Sequence, residues 1–188
     1  MSGSPRRFLR RLVSGAVVLG VCAGMLAAGV RGTPHDLSDQ SWSAGDVCLP
    51  CHGPHGKSNQ GYAWNHAYPA DAKFKTHRDA RLGVESLMCL GCHDGQTAID
   101  SFGGAGGTTV MVGRAVVGTD LSDDHPVGVP YPPRSLRSTY RSAATVEQKL
   151  PLFDGKVECA SCHDAHDNSR GSFLRVNPRV LCQTCHDV

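Results

Sequence analysis

The chain carries one short sequence four times, as Cys48-Leu-Pro-Cys51-His52, Cys89-Leu-Gly-Cys92-His93, Cys159-Ala-Ser-Cys162-His163 and Cys182-Gln-Thr-Cys185-His186. We call these the first to fourth motifs. With 9 Cys and 10 His among 188 residues, chance would produce about 0.02 copies of Cys-x-x-Cys-His. The repetition therefore reflects a chemical requirement, and Cys22 is the only cysteine outside the motifs.

The spacing of the motif suits covalent attachment of a haem. On one helical turn, Cys residues at i and i+3 project from the same side, where both thiols can form thioethers with a porphyrin. A His at i+4 lies beneath the ring and can ligate the iron. The pattern therefore predicts four covalently attached haem c groups. A zinc site, which does not require a His after each second Cys, and disulfides are the alternatives.

A basic segment followed by an apolar one predicts export. Four arginines near the N-terminus precede an uncharged run of 19 residues, 12–30. This pattern is typical of a signal peptide, and the small residues 27–29 suit cleavage. We expect residues 1–29 to be a signal peptide, or alternatively an uncleaved anchor. The mature domain, 30–188, is then periplasmic or extracellular.

The charge of the mature domain excludes one class of partner. Removal of residues 1–29 takes away four Arg and no acidic residue, so the formal net charge falls from +2 to −2. Four ferric haems with ionised propionates would lower it to about −6. We therefore expect no nucleic-acid binding, and redox proteins with a cationic surface as partners.

Composition limits the core that this polypeptide can build. The sequence holds 22 Gly and 11 Pro, and only 6% of its residues are aromatic. We expect a multihaem cytochrome c fold with little regular secondary structure, in which short α-helices and loops wrap around a haem core.

Local patterns predict a few elements of this fold. Asn177-Pro178 predicts the N-cap and first residue of a short helix through the fourth motif. Ser86 is expected to cap the helix of the second motif. Asp154-Gly155 predicts a tight hairpin turn between 150–153 and 156–158. Six Gly within 101–118 predict a loop with one small hairpin.

The motifs form two pairs, which indicates an internal duplication. The first and third motifs are each followed by a second His three residues on, at His55 and His166. We predict a tetrahaem domain built from two paired units, about 35–100 and 150–188, joined by a loop-rich segment.

Several stretches resemble the doubled Cys-x-x-Cys-His family of bacterial multihaem cytochromes. They are His35-Asp-Leu-Ser38, 48–55, Trp64-Asn65-His66, 87–95, Asp123-Asp-His-Pro-Val-Gly128, 157–166 and 181–186. Their order is similar to that of tetrahaem cytochromes, some of which polymerise into extracellular filaments.

Axial ligation decides what each haem can do. The motif histidines are the predicted proximal ligands: His52, His93, His163 and His186. Six further His are available, whereas only Met88 and Met111 could supply sulfur, and Met88 adjoins Cys89. We therefore predict bis-His ligation at all four irons, which gives low-potential haems because no Met raises the potential.

His55 and His166 each follow a proximal His by three residues. Each therefore lies on the same side of the porphyrin as that proximal His. Each is therefore expected to ligate the iron of a neighbouring haem. The alternative is a surface His hydrogen-bonded to a propionate.

The resemblance implies a distal ligand at His125. His35 completes the set, either on an iron of its own chain or, as in the filament-forming relatives, on an iron of the next subunit. The second case would couple self-assembly to ligation. His66 is the alternative for this position, and His77 is expected at the surface.

These features predict an electron carrier, not an enzyme, that passes single electrons between other redox proteins. One alternative is a membrane-anchored quinol dehydrogenase, which would retain the N-terminal segment at the membrane. Another is a reductase of a small oxyanion, which needs one haem with an open axial position.

Overall fold

The computed structural model describes residues 29–53, 63–77, 80–101, 103, 105–133 and 139–187. Most of the predicted signal peptide and the predicted ligand His55 lie outside the described residues. Within the described part of the chain, no helix is long and apolar enough to cross a membrane.

Regular secondary structure is short and sparse in the described residues. The helices are α1 (Val84–His93), α2 (Ala143–Val146), α3 (Cys159–Cys162) and α4 (Leu181–Cys185), and two 3-10 turns cover Asp71–Lys73 and Pro178–Val180. Strand β1 (Val129–Pro130) pairs antiparallel with β2 (Lys156–Val157). The prediction of short helices and little regular structure is confirmed.

Helix α1, with 10 residues, is the longest of these elements. Its N-cap is Gly83, so the prediction that Ser86 caps this helix was wrong. Ser86 lies inside the first turn and is fully buried. Its hydroxyl donates to Glu158 and accepts from the backbone N–H of Cys159. Glu158, which is distant in sequence, thus binds the Ser86 hydroxyl that was predicted to cap the helix.

The end of the chain folds as its sequence predicts. The Asn177 side chain accepts a hydrogen bond of 2.9 Å from the backbone N–H of Arg179. Pro178 begins the 3-10 turn, which leads directly into α4. Asn at the cap accepts a hydrogen bond from an otherwise unpaired backbone N–H, and Pro has no backbone N–H that needs a partner. The predicted helix start is confirmed.

The tight turn before the third motif is also confirmed. Phe153 and Lys156 exchange backbone hydrogen bonds of 3.0 and 2.9 Å. Asp154 and Gly155 between them have φ of 49° and 69°, the left-handed conformation that two-residue hairpin turns require. Beyond the turn, the chain pairs with β1, in the register Val129↔Val157.

Gly128 joins three segments of the chain at one point. Its carbonyl accepts from the N–H of Arg81, and its own N–H donates to the carbonyl of Val157. A Cβ built on Gly128 would lie 2.8 Å from the carbonyl carbon and oxygen of Arg81. Only glycine allows this close approach, which connects the start of α1 to the sheet beside the third motif.

The apolar core is small. It contains Phe74, Leu82, Leu90 and Leu121, with Leu87 and Val127 packed against them. Leu121 enters the cluster because its N–H donates to the carbonyl of Lys75. A core of this size matches the expectation that the polypeptide cannot build a large one of its own.

Truncation of this core should destabilise the holoprotein. We expect Leu121→Ala, at a position 3% exposed, to lower the free energy of unfolding by about 2–5 kcal/mol, because it removes buried methyl groups and leaves a cavity. The matched control is Val112→Ala, at a side chain 81% exposed, which should change it by less than about 0.5 kcal/mol. Denaturant titration of both variants measures the difference; equal stabilities would contradict the assignment of the core.

Candidate functional site

Each motif forms a helical turn that ends at its His. In the first motif, the N–H of His52 donates to the carbonyl of Cys48 at 2.8 Å. The same bond joins the His to the first Cys in the third and fourth motifs, at 3.1 and 2.9 Å. The second motif forms the end of α1. This turn sets the two Cys on one side, with the His directly after them.

Two of the motif imidazoles are oriented by backbone carbonyls. Nδ1 of His93 lies 2.7 Å from the carbonyl oxygen of Ala115, and Nδ1 of His163 lies 2.8 Å from that of Ser172. A carbonyl can only accept, so Nδ1 carries the proton and Nε2 presents its lone pair. Metal-bound His residues typically use their second nitrogen in this way.

The loops that supply these carbonyls are anchored to the motifs themselves. The N–H of Val117 donates to the carbonyl of His93 at 2.8 Å, and the N–H of Asp164 donates to the carbonyl of Phe173 at 2.7 Å. The Gly-rich loop also forms an isolated antiparallel bridge between Ala98 and Val110. The predicted loop after 101 therefore serves to orient the second motif.

Three pairs of imidazoles lie close to 6 Å apart. The ring centroids are separated by 6.0 Å in His35–His93, 5.9 Å in His52–His166 and 6.4 Å in His125–His186. Two imidazoles bound to opposite sides of one metal, with bonds of about 2.0 Å, have centroids about 6 Å apart. Each pair joins a motif His to a His distant in sequence, so the spacing fits an iron held between them.

His35 has the environment of a ligand. Its Nδ1 is buried and has no hydrogen-bond partner among the described residues. The ring stacks on Phe173 at 4.2 Å with an angle of 17° between the planes. Burial, and then the proximity of His93, lower the pKa of His35 below its ordinary value. The neutral imidazole, which is the form that binds a metal, is therefore favoured.

The other two spare histidines contact backbone. His66 is buried, and its Nε2 lies 2.5 Å from the carbonyl of Pro50, inside the first motif. His77 is half-buried, with Nε2 3.0 Å from the carbonyl of Asp124, beside His125. His35 lies against a motif His, His93, at 6.0 Å between ring centroids.

A buried charge follows the second motif. Asp94 is 2% exposed, and Nζ of Lys73 lies 2.5 Å from its carboxylate. Burial would raise the pKa of this carboxyl, but the hydrogen bond from Lys73, with those from Gln96 and Thr97, lowers it to about 2. The carboxylate therefore stays ionised and holds the chain turned after His93.

Cysteines of successive motifs lie near one another, in chain order. The proximity of Cys159 raises the pKa of Cys89, and the proximity of Cys89 lowers that of Cys159 to about 7. Burial, and then Cys51 nearby, raise the pKa of Cys92 to about 12. Burial, and then Cys185, raise that of Cys162 to about 11. Helix α1 packs against α3, and the first and second motifs, like the third and fourth, have cysteines within electrostatic range of each other.

The eight motif cysteines are free thiols in the described residues. Within the same residues, no three His, Cys, Asp or Glu side chains converge as a site for a metal ion.

Sequence reasoning missed three groups that the structure brings to the motifs. The carbonyls of Ala115 and Ser172 are backbone atoms, so no residue type marks them. Glu158 and its contact with Ser86 depend on the packing of α1 against α3. The only signal in the sequence was the position of Glu158 directly before Cys159.

Comparison with known proteins gives one family match and no match among curated proteins. Residues 151–188, which include the third and fourth motifs, match the family described as the doubled CXXCH motif. CXXCH motifs imply covalently bound haem c. Residues 151–188 therefore match the doubled CXXCH motif family, which supports a multihaem c-type cytochrome-like protein.

Proposed function

We propose that the protein is an electron-transfer cytochrome with four haem c groups, each ligated by two histidines. The thioethers would come from Cys48 and Cys51, Cys89 and Cys92, Cys159 and Cys162, and Cys182 and Cys185. The bound haem supplies a one-electron couple, and bis-His ligation keeps its potential low. The more general assignment, a haem-binding electron-transfer cytochrome, rests on the motif and the family match.

The imidazole pairs support the assignment of axial ligands. His35 with His93, His52 with His166, and His125 with His186 would each complete one haem. His163 would then be completed by His55, which lies outside the described residues. In the His35–His93 pair, the carbonyl of Ala115 orients His93 and the ring of Phe173 stacks on His35. The carbonyl of Ser172 orients His163.

The single observation that carries electron transfer is the proximity of successive motifs. A chain of redox groups conducts only if each lies near the next. Helix α1 packs against α3, and the first and second motifs, like the third and fourth, have cysteines within electrostatic range of each other, which supports a path through four haems in chain order. The pairing of His166 with His52 supports a further link between the first and third haems. The distal ligand of the first haem would come from the segment that follows the third motif.

Location and partners follow from the sequence. We propose an exported protein, periplasmic or at the cell surface, that exchanges electrons with redox proteins of cationic surface. Membrane association would depend on retention of the N-terminal segment. The contact of His35 with His93 supports ligation within one chain, and self-assembly through His35 is the alternative.

The haem content tests the proposal directly. We expect four covalent haems by intact mass, a fully low-spin spectrum, and no binding of carbon monoxide by the reduced protein, because each iron has two protein ligands. The control is a double variant, Cys182→Ala with Cys185→Ala, which should lack the mass of one haem. A high-spin fraction in the intact protein would favour the oxyanion reductase instead.

The angles between paired imidazole planes predict two classes of electron paramagnetic resonance signal. The planes are nearly parallel in His52–His166, at 14°, and nearly perpendicular in His35–His93 and His125–His186, at 72° and 81°. Parallel ligands split the iron orbitals and give a rhombic ferric signal, whereas perpendicular ligands leave them close in energy and give a highly anisotropic one. The ferric protein should show both, and a spectrum with rhombic signals alone would contradict the pairing.

Replacement of His166 tests which haem it serves. We expect His166→Met to raise the potential of the haem attached at Cys48 and Cys51, because a thioether ligand favours ferrous iron. In the same variant, the rhombic signal of the ferric protein should lose the intensity of one haem. The matched control, His35→Met, should reduce an anisotropic signal instead. Unchanged rhombic intensity in His166→Met would rule out the pairing with His52.

A further inference from the structure

Glu158 is a fully buried carboxylate directly before the third motif. Its oxygens accept hydrogen bonds from the backbone N–H of Gly83 at 3.0 Å and from the Ser86 hydroxyl at 2.6 Å. Nζ of Lys156 lies 3.2 Å away and neutralises the charge. Burial of a carboxylate is costly unless it is paired and hydrogen-bonded, and Glu158 meets both conditions.

The same residue begins α3, the helix of the third motif. The backbone N–H of Ser161 donates to the carbonyl of Glu158 at 2.9 Å, and the N–H of Glu158 donates to the Ser161 hydroxyl at 3.0 Å. The backbone of Glu158 therefore holds the first turn of α3, while its carboxylate receives the N-cap N–H of α1, the helix of the second motif.

Ser86 closes the connection from the other side. Its hydroxyl donates to Glu158 and accepts from the backbone N–H of Cys159 at 2.9 Å. Helices α1 and α3 also pack against each other. The two haem-attaching helices are thus joined by packing and by hydrogen bonds at the start of α1.

Gly83 is shaped for this contact. Its φ of −81° and ψ of 170° are available to any residue, so its backbone conformation does not require glycine. A Cβ there would lie 2.8 Å from Oε1 of Glu158. Glycine at this position therefore leaves space for the carboxylate against α1.

We propose that Glu158 is a positioning residue: its carboxylate fixes α1 against α3 and thereby sets the mutual orientation of the haems on the second and third motifs. The inference rests on the proposed function, since it concerns haems that these motifs would carry. Electron exchange between the central haems depends on that orientation, whereas haem attachment depends on the cysteines.

Glu158→Gln tests this role. The amide has one acceptor oxygen, so it cannot receive both Gly83 and Ser86 as the carboxylate does. The readout is the split circular dichroism signal in the Soret band, which arises from coupling between closely spaced haems. We expect partial loss of the split signal in Glu158→Gln with four covalent haems retained, and no change in the control Glu147→Gln, an exposed position.

Ser86→Ala provides a second, milder variant. It removes the hydroxyl that links Glu158 to Cys159 and should reduce the split signal in the same way. Because both residues act in one network, the double variant should lose less than the sum of the two single losses. This variant keeps the test decisive if Glu158→Gln fails to incorporate haem.

The outcomes separate this inference from the proposed function. Wild-type protein without four low-spin haems would overturn the proposed function. Wild-type protein with four such haems, but with a split signal that neither variant changes, would overturn the role of Glu158 alone. Lower thermal stability with an unchanged split signal would likewise show that Glu158 only stabilises the fold.

Discussion

The fold of this chain centres on imidazoles that lie in pairs about 6 Å apart. Each described pair brings a motif His to within 5.9–6.4 Å of a His from another part of the chain. A short turn places two Cys and one His, so in the proposed holoprotein the opposite ligand comes from another segment of the chain. The long loops of this chain are therefore the means by which distant histidines reach the motifs.

The loops keep this arrangement with few apolar contacts. The core cluster is confined to the neighbourhood of α1, and much of the remaining order comes from backbone hydrogen bonds to the motifs. The carbonyls of Ala115 and Ser172 orient imidazoles, while the loops that carry them are bonded to the same motifs. In the proposed holoprotein, the four haems would add the apolar volume that the side chains lack.

The junction of α1 and α3 differs from the other contacts between motifs. At this junction, a buried carboxylate, a buried serine and the backbone of Cys159 meet. The cost of burying Glu158 is offset by Lys156, by the N–H of Gly83 and by the Ser86 hydroxyl. A charged group in this position constrains geometry more tightly than apolar packing would, because each of its hydrogen bonds has a direction.

Local sequence predicts the motifs, the scarcity of regular structure, the cap at Asn177 and the turn at Asp154-Gly155. Each of these depends on neighbours within a few residues, where spacing and backbone preference are sufficient. The folded chain was needed to show that His35 lies beside His93, that His166 lies beside His52, and that Ser86 bonds Glu158 instead of capping a helix. These depend on which distant segments meet, and loop paths that are set by backbone hydrogen bonds leave no pattern of residue types to read.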